Sequence, residues 1–139
     1  MWYKMGLEDI VYDLLKTVRD RRVEQKERDK AAYKAINKSL ESLIREWNNL
    51  RKVRPVKLYT QGKTIFKRYY DILGKIIEET DDIVGEEISN ALNDLRIQLY
   101  QGTEFLEVLG GGERFMGEGD RIRDTAQKII ESKRLAEEL

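Results

Sequence analysis

The sequence predicts an all-α fold, an up-and-down four-helix bundle with a long N-terminal helix that projects from it. Two observations carry this. Apolar residues recur at helical spacing through almost the whole chain, while no segment sustains the alternation of a half-buried strand. Helix breakers are also few and grouped, with one proline at position 55 and five of the ten glycines between Gly110 and Gly119.

The first apolar stripe is Leu7, Ile10, Val11, Leu14, Leu15 and Val18, and a second follows at Ala32, Ile36, Leu40, Leu43, Ile44, Trp47 and Leu50. The intervening RDRRVEQKERDK, residues 19 to 30, holds no Gly, Pro, Asn or Ser and is built of good or tolerable helix formers. One helix is therefore expected from Leu7 to Lys52, about 69 Å long if straight at about 1.5 Å per residue. The polar seam does not suit a core, so residues 1–30 read as a projecting arm and 31–139 as the bundle domain. Deleting residues 1 to 18 is then expected to leave a folded helical protein.

Pro55 stops or restarts the chain, because it cannot donate the next helical hydrogen bond and disfavours helix at Arg54. Leu58, Ile65, Phe66, Tyr69, Ile72, Leu73, Ile76 and Ile77 then share a face, with Thr60 as a candidate cap. Thr80, Asp81 and Asp82 offer N-cap oxygens for a third helix carrying Val84, Ile88, Leu92, Leu95 and Leu99. Gly102 falls within its register as a close-packing point or a break. The window GGGERFMGEG reads as a loop, and Asp120 as the cap of a last helix bearing Ile122, Ala126, Ile129 and Ile130. The rival architecture is an extended helical hairpin that closes its core only by oligomerising.

The composition closes several chemistries. The chain has no cysteine and no histidine, which removes disulfides, thiolate nucleophiles and the imidazole-based layouts of most hydrolases and transition-metal sites. The Gly-rich window lacks the Gly-Lys-Ser/Thr ending of a phosphate-binding loop and carries Glu113, Glu118 and Asp120, which repel an anion. Glu78, Glu79, Asp81, Asp82, Glu86 and Glu87 cluster where helix ends and starts already account for acids. The expectation is a non-enzyme with no metal and no cofactor. The N-terminal residues lack the apolar core of a signal peptide and no apolar run reaches membrane-span length, so a cytoplasmic protein without a membrane partner is expected.

The neutral total of 26 basic and 26 acidic residues hides a polarised chain. Residues 16 to 70 hold 17 Lys and Arg against 6 Asp and Glu, whereas residues 71 to 139 hold 8 against 17. In the arm, Arg19, Arg21, Arg22, Lys26, Arg28 and Lys30 are candidates to meet phosphates or an acidic protein surface. The interleaved Asp20, Glu24, Glu27 and Asp29 argue against a pure DNA clamp. Leu7, Ile10, Val11 and Leu14 at the arm's far end need a groove, on a second copy or on another protein. Phe115 and Met116, in the Gly-rich window, are further candidates for contact with a partner.

In its long charged first helix, the bundle pattern after it and its Tyr-rich, Cys-free composition, the chain resembles small helical-bundle proteins of viruses that infect thermophilic archaea. That group includes virion proteins and relatives that bind and inhibit the host RNA polymerase. The resemblance covers the overall plan and carries over no individual residue. It implies a non-enzymatic protein that occupies a large surface or channel, with a virion structural or nucleic-acid-coating role as the alternative. High Lys, Arg and Glu usage fits a hot habitat, against which ten Asn and Gln residues count.

Overall fold

The computed structural model describes residues 6–52, 55–109, 113–132 and 135, without the side chains of 55–59, 105–109 and 113. Five helices follow one another, α1 (Leu7–Arg19), α2 (Gln25–Leu50), α3 (Pro55–Val84), α4 (Glu86–Leu109) and α5 (Glu113–Ile130). Among the described residues there is no strand.

Helices α2 to α5 close a ring of contacts in which α2 packs on α3, α3 on α4, α4 on α5 and α5 back on α2. Neighbours run antiparallel. Arg96 of α4 meets Tyr70 of α3 while Gly102 meets Phe66, and Asp120 of α5 meets Trp47 and Arg51 of α2. The ring is thus an up-and-down four-helix bundle, with α2 and α4 on one diagonal and α3 and α5 on the other.

The long projecting helix is not what forms. The chain reverses between Asp20 and Glu24, and α1 lies back against α2 and α3. Local chemistry makes the turn, since the Asp20 carboxylate accepts the Arg22 backbone N–H at 3.0 Å and its guanidinium at 3.1 and 3.2 Å. Arg28 Nε donates to the Val18 carbonyl at 2.8 Å, satisfying a group that the end of α1 leaves open. The driving force is burial: Val11, Leu15 and Val18 are at most 5% exposed and belong to the same core as the bundle. Each such burial is worth about 1.5–3 kcal/mol, more than residues 20–24 gain by staying helical. Residues 7–30 are accordingly part of the packed body and not a separate arm.

Pro55 opens α3, as its fixed φ and missing N–H allow at a first helical position. Thr60 lies inside that helix and not at its start. Nor do Thr80, Asp81 and Asp82 cap a new helix, for α3 runs through them to Val84, with Thr80 Oγ1 buried and donating to the Ile76 carbonyl at 2.7 Å. The break falls at Gly85, whose φ of 84° only glycine adopts readily, and its N–H returns to the Asp81 carbonyl at 3.2 Å.

The Gly-rich window is also reassigned. Residues 110–112 lie outside the described residues, but from Glu113 onward the chain is helical, so Asp120 is interior to α5. Gly119 serves packing there, as Gly62 and Gly102 do outside the window. A Cβ on Gly119 would fall 2.0 Å from the Trp47 ring, one on Gly62 2.1 Å from Phe115, and one on Gly102 2.9 Å from Phe66. Trp47, Phe66 and Phe115 fill those spaces and pack on each other with ring centroids 5.3–5.7 Å apart. Gly102 is therefore a close-packing point.

Candidate interaction surface

Folding back α1 redistributes the residues singled out as partner contacts. Val11 is buried, Leu7 and Leu14 pack partly buried against the core, and Ile10 is half-buried, so the apolar end of α1 is largely spent within the molecule. Phe115 is only 3% exposed, inside the aromatic cluster, and Met116 packs partly buried beside it; neither is a displayed loop residue. Arg28 holds the end of α1 and Arg22 is paired with Asp20. Arg19 approaches Glu79 at 3.7 Å and lies over the Tyr12 ring. Arg21, Lys26 and Lys30 remain exposed.

Lys26 and Lys30 belong to a longer row. Lys26, Lys30, Lys34 and Lys38 recur every fourth residue along α2, all exposed, on the side opposite Ala32, Ile36, Leu43 and Trp47. At about 1.5 Å per residue the row spans about 18 Å. Among the described residues none of the four has an ion-pair partner, although Arg22, Arg51, Arg68 and Arg123 do. Composition showed a basic half, but the missing partners at Lys34 and Lys38 became visible only once the folding of α1 fixed which face of α2 stays outside.

A polar clasp that the sequence did not disclose fastens α1 to this helix. Arg68 of α3 donates to Glu46 of α2 at 2.9 Å and, through two nitrogens, to the Glu8 carboxylate of α1. That bond holds the Glu8 carboxyl below its ordinary range. The Tyr69 hydroxyl donates to Glu46 and lies 2.7 Å from Ser42 Oγ. Burial, then the bond to Glu46, push its pKa well above that of a free phenol. The only signal in the sequence was the adjacency of Arg68 and Tyr69 on a helix with an apolar face. Beside the clasp, an open groove of about 370 Å³ runs between α1 and α3, floored by Val11, Leu15 and Ile72 and edged by Tyr12 and Lys75.

Across the bundle, α4 has the opposite character. Its exposed residues between Glu86 and Glu104 include Glu86, Glu87, Asp94 and Glu104 and no cation. Arg96 is folded inward, 3.9 Å from the centre of the Tyr70 ring and donating to the Tyr70 carbonyl at 2.9 Å. Tyr70 in turn packs on Tyr100. The lysine row of α2 and the acidic exposed run of α4 thus stand on diagonally opposite helices, while Arg19–Glu79 and Arg51–Asp120 pair the basic half of the chain with the acidic half where helices meet.

No three carboxylates converge into a metal-binding group among the described residues. No helix is long and apolar enough to cross a membrane, again among the described residues. No family model, curated protein or solved structure matches the chain.

Proposed function

We propose that this chain is a non-enzymatic interaction protein that docks the basic outer face of α2 on a large macromolecular partner. In this reading the partner is a nucleic-acid-handling machine, such as a host RNA polymerase, which the rigid bundle obstructs sterically and electrostatically. The observation that carries the proposal is the row Lys26, Lys30, Lys34 and Lys38, four exposed ammonium groups on one helix face that have no ion pair among the described residues. Such a row raises the local potential and steers an acidic surface toward it. The projecting apolar arm no longer contributes, because its side chains are used in the core.

The same row supports a second reading, a virion or nucleic-acid-coating protein, since duplex DNA presents about one phosphate charge per 1.7 Å of axis and several would face an 18 Å row. The two readings separate in one set of experiments. Full-length protein and a variant with all four lysines changed to Glu are used in pull-downs from lysate with and without nuclease, and in duplex-DNA titrations over a salt series. A defined nuclease-resistant protein complex, lost in the variant, is the expected result for docking. DNA binding with a log–log salt slope of up to about −3.6, four contacts at about −0.9 each, would instead assign the coating role. Equal behaviour of the two proteins in both assays would overturn the α2 face as the contact.

A further inference from the structure

The break between α1 and α2 lacks the devices that usually end a helix. Residues 20–24, DRRVE, contain neither glycine nor proline, and none of the described residues other than glycine has a positive φ. Glu24, at the start of α2, makes no side-chain cap bond to the first N–H groups of that helix. Asp20 and Glu24 bound the turn with φ of −80° and −56°, already in the helical range, and leave the helix only in ψ, at 103° and 144°. What holds the turn is the set of bonds around Asp20 and the Arg28 bond to the Val18 carbonyl.

The seat of α1 is made by other parts of the chain. Helices α2 to α5 close their ring without it, and α1 lies antiparallel to α2, with Glu8 bound to Arg68 beside Glu46 and Val18 held at Arg28. Turning residues 20–24 to helix joins α1 and α2 into one rod, in which the Val18 carbonyl accepts the Arg22 N–H in place of the Arg28 side chain. It also strips Val11, Leu15 and Val18 from the core and leaves their seat empty. A second copy opened in the same way supplies the one helix already seen to fit that seat.

We infer that this chain forms a dimer by exchanging α1, the Leu7–Arg19 helix of each copy filling the seat on α2 and α3 of the other. Because α1 and α2 are antiparallel, two opened rods lie antiparallel with their hinges side by side. The exchange is then reciprocal about a two-fold axis and closes at two copies. The contacts of α1 form again between copies, the Glu8–Arg68 and Arg19–Glu79 pairs included, so the balance between closed monomer and exchanged dimer lies in the hinge. A hinge of good or tolerable helix formers without glycine favours the rod. The lysine row of α2 is no part of the seat, so the inference stands or falls separately from the proposed function.

The test refolds the full chain from denaturant over a concentration series and separates the products by size, with a dimer fraction that grows with concentration as the expected result. Asp20→Ala, which removes the turn's acceptor and favours helix, should raise the dimer association constant about tenfold or more. Arg21→Gly combined with Val23→Gly, which puts four glycines into the two rods of a dimer, should lower it about 100-fold or more and leave a folded monomer. The chain has no cysteine, so dyes attached through Asp9→Cys and Asn49→Cys, both at exposed positions, report the path of one chain. With labelled protein refolded in an excess of unlabelled, the dimer should show an intrachain separation of about 60 Å, the 40-residue interval at about 1.5 Å per residue, against a much shorter one in the monomer. Wild-type and Asp20→Ala proteins that both stay monomeric at every concentration would overturn the inference. So would a dimer whose intrachain separation matches the monomer's, which would be association through an outer surface, or a dimer yield that the two glycines leave unchanged.

Discussion

The two ends of the chain's core are held together in contrasting ways. Where α2 to α5 meet around Trp47, Phe66 and Phe115, cohesion is steric: aromatic rings occupy space that Gly62, Gly102 and Gly119 leave open, and one polar bond, from Trp47 Nε1 to Asp120 at 2.9 Å, orients the indole. Where α1 meets α2 and α3, cohesion is mixed. Three apolar side chains are buried, and the Arg68 clasp fastens the rim through charge. The first region has no slack for added volume at those glycines. The second senses pH through Glu8 and Tyr69.

The largest way to break this contrast is to remove α1. Deleting residues 1 to 18 takes away Val11, Leu15 and Val18 and exposes their seats on α2 and α3, a loss of about 5–9 kcal/mol if each contributes about 1.5–3. Against a typical total of about 5–15 kcal/mol, the truncated chain should lose cooperative thermal unfolding in calorimetry. A sharp transition near the full-length midpoint would show that α1 is dispensable, as the arm reading had required.

Next in size is Phe115→Ala, which hollows the aromatic cluster and should cost about 3–5 kcal/mol by denaturant titration. Gly119→Ala tests the same region from the other side. Its Cβ would press on a Trp47 ring that is 1% exposed and anchored by its hydrogen bond, so a cost of about 1–3 kcal/mol is expected. An unchanged midpoint would mean that the ring has room to move.

Smaller effects are expected at the clasp. Tyr69→Phe removes the hydroxyl from Glu46 and Ser42 and should cost about 1–2 kcal/mol. The same variant sharpens the pH contrast. Because the folded-state pKa of Tyr69 is raised above the ordinary 10.0, its contribution is complete below pH 10 and is lost as pH rises toward the folded value. Wild-type stability should fall in that alkaline range more steeply than that of Tyr69→Phe. Glu8 runs the other way. Its folded pKa is lowered from 4.5, so its contribution is present above pH 4.5 and is lost as pH falls through the lowered value. Glu8→Gln should flatten the acid limb by a few tenths of a kcal/mol, as befits an exposed pair.

Much of the helical content was legible in the chain. Apolar spacing placed α2 and its core residues Ile36, Leu40, Leu43 and Trp47, as well as most of the face of α3 and the inner positions of α4 and α5. Composition showed that one half is basic. The break in the first helix was not legible, because Asp20 reads as a tolerable helix former unless Arg22 and Arg28 are seen closing the turn around it. The Gly-rich window misled for a related reason. Glycine in a sequence signals freedom of the backbone, but at Gly119 it signals the absence of a side chain beside Trp47.

What the sequence by itself determined is the set of local preferences: which segments favour helix, which face of each is apolar, and where charge of each sign accumulates. These depend on residues three or four apart, and a linear reading contains them. The tertiary structure alone decided that α1 returns to the bundle, that Phe115 is core and not contact, and that the basic and acidic faces stand on diagonal helices. Each of these depends on residues dozens of positions apart competing for the same space or charge. Such competition is settled only when the whole core closes.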